Sequence, residues 1–141
     1  MTERKRFDRE LFNECDDKAR AVTTRYFERQ GYAVKEHPDR YAQDLIVEDT
    51  GASFCVECEV KLVWSGEDFP YDTVQLPERK GKFFDTATMF FIWNKEFTHA
   101  MTFWSHDVKQ LEPVEVPNRY VHKGEYFYQI PMDMVEKVEA A

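Results

Sequence analysis

Asp44, Glu59 and Lys61 are the side chains whose types and spacing most directly suggest chemistry. Asp44 opens the apolar run Leu45-Ile46-Val47. A turn follows at Asp49-Thr50-Gly51-Ala52, and the chain returns through Phe54-Cys-Val-Glu-Cys-Glu-Val-Lys61. Read as a hairpin, side chains two apart share a face and stand about 6.6–7 Å from each other. Glu59 and Lys61 then share a face, with Glu57 and Cys55 behind them in the same row. The opposite row, Phe54, Val56, Cys58, Val60 and Leu62, is apolar throughout. A merely solvated face would make Glu59 and Lys61 a weak ion pair worth ~0–1 kcal/mol. The uniform apolar row, and the position of an Asp at the mouth of the neighbouring strand, favour a site.

The chemistry that such a group suits is metal-dependent phosphodiester hydrolysis. Carboxylates hold Mg²⁺, which keeps several waters and is usually bound through one or two acids plus substrate phosphate. The metal polarises the phosphoryl oxygen and acidifies a bound water, while a lysine orients that water or offsets developing charge. Between two acids a lysine is held cationic, so it serves as an electrostatic group rather than as a base. On this reading Asp44 and Glu59 bind Mg²⁺ or Mn²⁺, Glu57 and the carbonyl of Val60 are further candidate ligands, and Lys61 positions the attacking water.

An Asp followed by three apolar residues, a turn, and a strand ending Glu-Val-Lys resembles the PD-(D/E)XK nuclease superfamily. Gly31-Tyr32-Ala-Val is similar to the family's junction between a leading helix and the first strand, and the resemblance covers roughly residues 9–85. It implies a restriction-endonuclease-like α/β fold, a central mixed β-sheet flanked by helices, with Asp44 as first acid, Glu59 as second and Lys61 as the lysine. It also implies a nucleic-acid substrate, most often DNA cut endonucleolytically, and a possible homodimer. Family members place a basic or amide side chain from the next element near the metal, and Gln75 and Lys80 resemble that. A literal Pro38-Asp39 is a rival first acid, but Arg-Tyr-Ala-Gln follows it, whereas Asp44 opens an apolar strand. Glu57 stays open, either as a further ligand or as the family's acid with a departure at the lysine.

With 141 residues, the chain is expected to form a single domain spanning 1–141, large enough for a real core. Twelve Phe, seven Tyr and three Trp supply burial and argue against disorder. No apolar run approaches the ~20 residues that cross a bilayer, and the charged N-terminus does not read as a secretory signal. A cytoplasmic protein without a membrane partner is expected. Three cysteines, an odd number, argue against a disulfide framework. Cys55 and Cys58 lack a second pair to complete a zinc site, so Cys58 is expected in the core. The four histidines are scattered and are expected in loops or on the surface. The net charge of −8 weighs against nucleic acid. Two basic patches, Arg4-Lys5-Arg6 with Arg9 and Arg79-Lys80 with Lys82, are candidates for phosphate contact.

Those side chains need elements to hold them. Leu11, Cys15, Ala19, Val22 and Tyr26 recur at helical spacing over 9–30, and Gly31 is a plausible stop. A strand over 32–35, a polar loop and the hairpin over 44–62 follow, then a loop over 64–71 beside the site. Pro77 suits the first turn of a helix, with Glu78 and Lys82 at i,i+4 spacing. The run at 89–93 reads as a strand buried on both faces, paired with one over 97–103. Ser105 is expected to cap a helix to residue 111. After an ordered loop over 112–124, a strand over 125–130 leads through Pro131 into a terminal helix. Helix 1 would cover one side of the sheet, and the Pro77 and terminal helices would cover it elsewhere. A catalytically inactive domain of this fold, binding nucleic acid or protein, is the alternative reading.

Overall fold

Ala19, Val22, Thr23, Tyr26 and Phe27 recur every three or four residues, and in the computed structural model they line the inward face of α1, Arg9–Glu28. The structure describes residues 9–117 and 124–140, the side chains of 9–13 excepted. Gly31, at φ 93°, adopts the left-handed conformation that ends a helix without a Cβ clash, and its N–H caps the Glu28 carbonyl.

The remaining elements are β1 Ala33–Glu36, β2 Leu45–Asp49, β3 Ala52–Val60, β4 Thr73–Pro77, β5 Thr88–Trp93, β6 His99–Trp104, α2 Ser105–Val108, β7 Val114–Val116, β8 Glu125–Pro131 and β9 Glu136–Glu139. Six strands form a central sheet in the order β1-β2-β3-β5-β6-β9, mixed because β3 and β5 run parallel while its other pairs are antiparallel. A second, antiparallel sheet has the order β4-β8-β7.

The central sheet separates two cores, as period-2 alternation requires. Against α1 lie Leu45, Val47, Val56, Cys58, Phe91, Trp93 and Ala100. Against the second sheet and α2 lie Phe90, Ile92, Met101 and Phe103, packed with Val74, Leu76, Phe83, Val108 and Ile130. The expected apolar row of β3 faces α1, and Cys58 is buried there as expected. The Glu57 row therefore points toward the second sheet. The Trp93 indole N–H donates to the Thr23 hydroxyl (2.8 Å), which donates to the Ala19 carbonyl (2.7 Å), so this polar group is satisfied inside the α1 core.

Three expectations about elements are corrected. Pro77 ends a strand instead of opening an α-helix, and Glu78–Phe83 forms a 3₁₀ turn. Thr73-Val-Gln-Leu has the alternation of a strand, with Val74 and Leu76 buried. Gly81 also packs so close to Tyr128 that a Cβ there would lie 2.5 Å from its hydroxyl. The terminal helix is likewise absent: Met132–Met134 is a 3₁₀ turn and β9 follows. A short isolated helix is marginal, whereas β9 closes the open edge of β6 and packs Val138 on the core. Ser105 does not cap through its side chain, and α2 is a single turn. Its hydroxyl instead donates to the Thr86 carbonyl (2.8 Å) and accepts from the Thr88 N–H (3.1 Å), fixing the start of β5. The patch at Arg4-Lys5-Arg6, His122 and part of the 112–124 loop lie outside the described residues.

Asn94 ties the end of the β5–β6 hairpin to the loop after β3. It is fully buried. Its Nδ2 donates to the Gly66 carbonyl (2.9 Å) and the Thr98 hydroxyl (2.8 Å). Its Oδ1 accepts from the N–H groups of Thr98 (2.9 Å) and His99 (3.2 Å). Asn94→Ala is expected to lower unfolding stability by roughly 2–4 kcal/mol, because buried partners are left unpaired. Urea denaturation checks this, and a loss below about 1 kcal/mol would contradict the role.

Candidate active site

β3 is nine residues long and β2 only five, and their last pair toward the site is Leu45 with Val56. From Glu57 to Val60 the strand is therefore paired on its β5 side, and its β2 side is open. The N–H and C=O of one strand residue point to the same side, alternating along the chain. Cys55 and Lys61 donate toward the β5 strand, to the carbonyls of Ala87 and Trp93. Alternation directs the backbone groups of Cys58 and Val60 to the open side. Asp44 sits where β2 gives out. Its Oδ2 accepts from the Cys58 N–H (2.8 Å), and the Arg20 guanidinium of α1 lies 3.7 Å from Oδ1. The divergence of two strands thus creates the opening, and a carboxylate fills its first position.

Glu57 is the neighbour that matters most to Asp44. It is only 7% exposed, and its carboxyl is pushed up from 4.5 to about 7. Burial is the largest cause, followed by the charge of Asp44 and a side-chain hydrogen bond to it, against the lowering influence of Lys80. Two carboxylates in contact cannot both stay ionised at ordinary strength. Lys80, from the 3₁₀ turn, forms an ion pair with Glu57 Oε2. Asp16 of α1 joins the group from the other side. Its carboxyl is raised first by burial and then by Asp44, with Arg20 and Lys80 opposing.

Glu59 and Lys61 occupy the next two positions of the row. Lys61 Nζ lies 3.6 Å from Glu59 Oε1 and donates to the Gln75 carbonyl of β4 (3.3 Å). Glu59 Oε1 is buried without a hydrogen-bond partner. The expected residues thus fall into two adjoining groups, Asp44 with Glu57 and Lys80, and Glu59 with Lys61 and Gln75. Arg79 and Lys82 are exposed on the 3₁₀ turn, with Lys82 5.0 Å above the Phe83 ring. Asp39 is exposed and caps its own loop, accepting from the Tyr41 N–H (2.9 Å). A separate convergence joins Glu67, His99 and Glu139 within 4.8 Å. It lies at the far edge of the sheet, both its acids are exposed, and none of its residues reaches Asp44 or Glu57.

The donor set fits a hard divalent cation. The Asp44–Glu57 pair with its raised proton affinity, backbone carbonyls on an open strand edge and a Glu59 oxygen that is ion-paired to Lys61 but not hydrogen-bonded are all oxygen ligands of the kind Mg²⁺ or Mn²⁺ takes. Sequence reasoning missed Asp16 and Arg20. The signal was present: counting back from Thr23 by the helical intervals of three and four reaches Arg20 and Asp16, so both lie on the buried stripe. Charged residues on such a stripe need partners inside.

The proton held by Glu57 links its state to stability. Between pH 4.5 and about 7 the folded protein holds a proton that the unfolded chain has released. Stability therefore falls as pH rises through that window and stays lowest above it. In EDTA, Tm is expected to decline from about pH 5 to about pH 8, and Glu57→Gln is expected to flatten that slope and raise Tm at the alkaline end. Calorimetry over that range measures both, and an equal slope in the two proteins would contradict the assignment.

No family model matches the sequence, and no curated protein matches it. Among solved structures the chain is similar to a bacterial homing endonuclease, I-Ssp6803I, with a TM-score of 0.51 at 18% identity, over 84% of this chain and 83% of that one. At that identity the likeness is one of fold. The chain has a mixed α/β, nuclease-like fold built on a six-stranded mixed central sheet, and among the described residues no helix is long and apolar enough to cross a membrane.

Proposed function

We propose that this chain is a divalent-metal-dependent nuclease of the PD-(D/E)XK kind, acting on nucleic acid and most naturally on DNA. The observation that carries the reading is the Asp44–Glu57 pair: two carboxylates in contact, one of them buried and raised to about 7, at the open edge of a strand in a nuclease-like fold. Asp44 and Glu57 hold Mg²⁺ or Mn²⁺, with the carbonyls of Cys58 and Val60 within the same opening. Such an ion, when bound, neutralises phosphate charge and acidifies water.

The protein's own groups divide the remaining work. Glu59, beside Lys61, accepts a hydrogen bond from the attacking water through its carboxylate and takes its proton. Lys61 and Lys80 flank the row and face the negative charge that builds on the phosphoryl oxygens. Water oxygen bonds to phosphorus, the phosphorus–oxygen bond to the leaving nucleotide breaks, and that oxygen takes up a proton. On this reading Glu57, whose carboxyl feels Asp44 directly, takes the ligand place expected of Glu59, and Glu59-Val60-Lys61 continues the row as the second station. Arg79 and Lys82, on the exposed side of the turn, are placed for more distant phosphates.

One observation favours the alternative of a binding module: Lys80 already pairs with Glu57 and so balances it without a metal. Titration with Mn²⁺ separates the two. A nuclease site is expected to gain thermal stability on adding the ion at about pH 8, as ligand linkage requires, and Asp44→Ala is expected to lose that gain. Asp44→Ala and Glu57→Ala should each reduce cleavage of duplex, branched or single-stranded DNA by roughly 10²-fold or more, and Lys61→Ala by roughly 10–10²-fold. Undiminished cleavage by Asp44→Ala would sink the assignment.

A further inference from the structure

We infer that the cavity beside Lys61 receives one unpaired nucleotide base next to the scissile phosphate, so that the preferred substrate carries an unstacked or extruded nucleotide. This rests on the nuclease reading and adds the substrate class. The cavity holds about 500 Å³, and its lining includes Lys61, Phe69, Tyr71, Asp72, Thr73 and Gln75. That volume lies within the ~300–1,000 Å³ of ordinary ligand sites.

Its walls have the chemistry of a nucleotide subsite. Tyr71 is 57% exposed, a large ring presented to solvent where burial would have been favourable. The ring is not loose. It meets Phe69 at 5.5 Å between centroids, and Phe69 in turn meets the fully buried Trp64 at 5.7 Å. The loop carrying these rings is tied down at its start. The Gly66 N–H donates to Glu96 (2.8 Å), the Ser65 hydroxyl donates to Glu96 (2.7 Å), and Asn94 donates to the Gly66 carbonyl (2.9 Å). A ring anchored in this way offers a stacking face at little further entropic cost.

Polar groups complete the subsite. Gln75, Thr73 and Asp72 supply donors and acceptors for a base edge, and Lys61 supplies a cation for the attached phosphate. Lys61 is also the last member of the acid row, 3.6 Å from Glu59. The cavity therefore begins where the proposed cleavage site ends, and a chain with its phosphate at the acids would place its next nucleotide there. A base inside an intact duplex keeps its faces stacked on its neighbours and cannot enter. An unpaired base can, and stacking on an aromatic side chain is sequence-tolerant.

The test is binding of two fluorescein-labelled DNA duplexes, identical except that one carries a single-nucleotide bulge, measured by anisotropy with Ca²⁺ replacing Mg²⁺ to suppress cleavage. The bulged duplex is expected to bind about 5- to 150-fold more tightly, the range that one base–aromatic stack supplies. Tyr71→Ala is expected to erase that preference while leaving the affinity for the intact duplex alone, and Tyr71→Trp to retain it. With 2-aminopurine as the bulged base, its fluorescence should be quenched by wild-type protein and not by Tyr71→Ala. Equal binding of both duplexes, or a preference that survives Tyr71→Ala, overturns the inference and leaves the nuclease reading standing if Mg²⁺ restores cleavage. Failure to bind either duplex overturns both.

Discussion

Burying Glu57 is the constraint on which the rest of the structure depends. A carboxylate taken out of water is expensive unless it finds a cation, a proton or hydrogen bonds. Here the cation comes from Lys80, and Lys80 is in place only because of how the chain returns from β3 to β5. Parallel neighbours demand a crossover. This one runs through β4 of the second sheet and the 3₁₀ turn at Glu78–Phe83, instead of through a covering helix. Gly81 lets that turn press against Tyr128 of β8, so the second sheet sets the position of the lysine that balances the buried acid.

β3 carries both halves of the design because its two faces are committed differently. Val56 and Cys58 close the α1 core, while Glu57, Glu59 and Lys61 look toward the second sheet. Slipping the strand by one residue would bury the acids under α1 and expose the apolar row, so the register is strongly specified. The unequal lengths of β2 and β3 then decide where backbone groups go unpaired. An open strand edge inside a fold is a liability unless something occupies it. Asp44 occupies the first position, and the carbonyls beyond it are what the proposed metal would use.

The hairpin was legible because every local signal agreed. The turn at Gly51, the alternation of β3 and the apolar start of β2 all point one way, and the register confirms them. The buried run of β5 was legible for the same reason. Of the second sheet only β8 was legible, since β4 and β7 are short and depend on pairing with β8, which for β4 lies far along the chain. Pro77 illustrates the difficulty: the same residue suits a helix start and a strand end, and only tertiary packing decides. At the site, sequence spacing picked out the row but not which of its acids faces Asp44. That depends on where β2 stops, and period-2 alternation treats Glu57 and Glu59 alike. Asp16 and Arg20 belong to another element altogether and become partners only when α1 docks.

The net charge of −8 is a poor guide to what this site attracts. Within it, Asp16, Asp44, Glu57 and Glu59 face Arg20, Lys61 and Lys80. Leaving aside the solvent-exposed Asp17 and Glu36 that also pair with Arg20, these four acids and three cations come to neutrality once the Asp44–Glu57 pair keeps one proton, which its raised affinity favours near neutral pH. Exchanging that proton for a divalent cation leaves the group positive. Fields at close range outweigh distant surface charge, which salt screens within about 10 Å. Under the proposed reading, the site therefore repels phosphate no more than water does while it holds its proton, and attracts it once it holds its metal. The same exchange that makes chemistry possible makes the substrate welcome, so the acidity of the chain as a whole need not oppose a nucleic-acid partner at this one place.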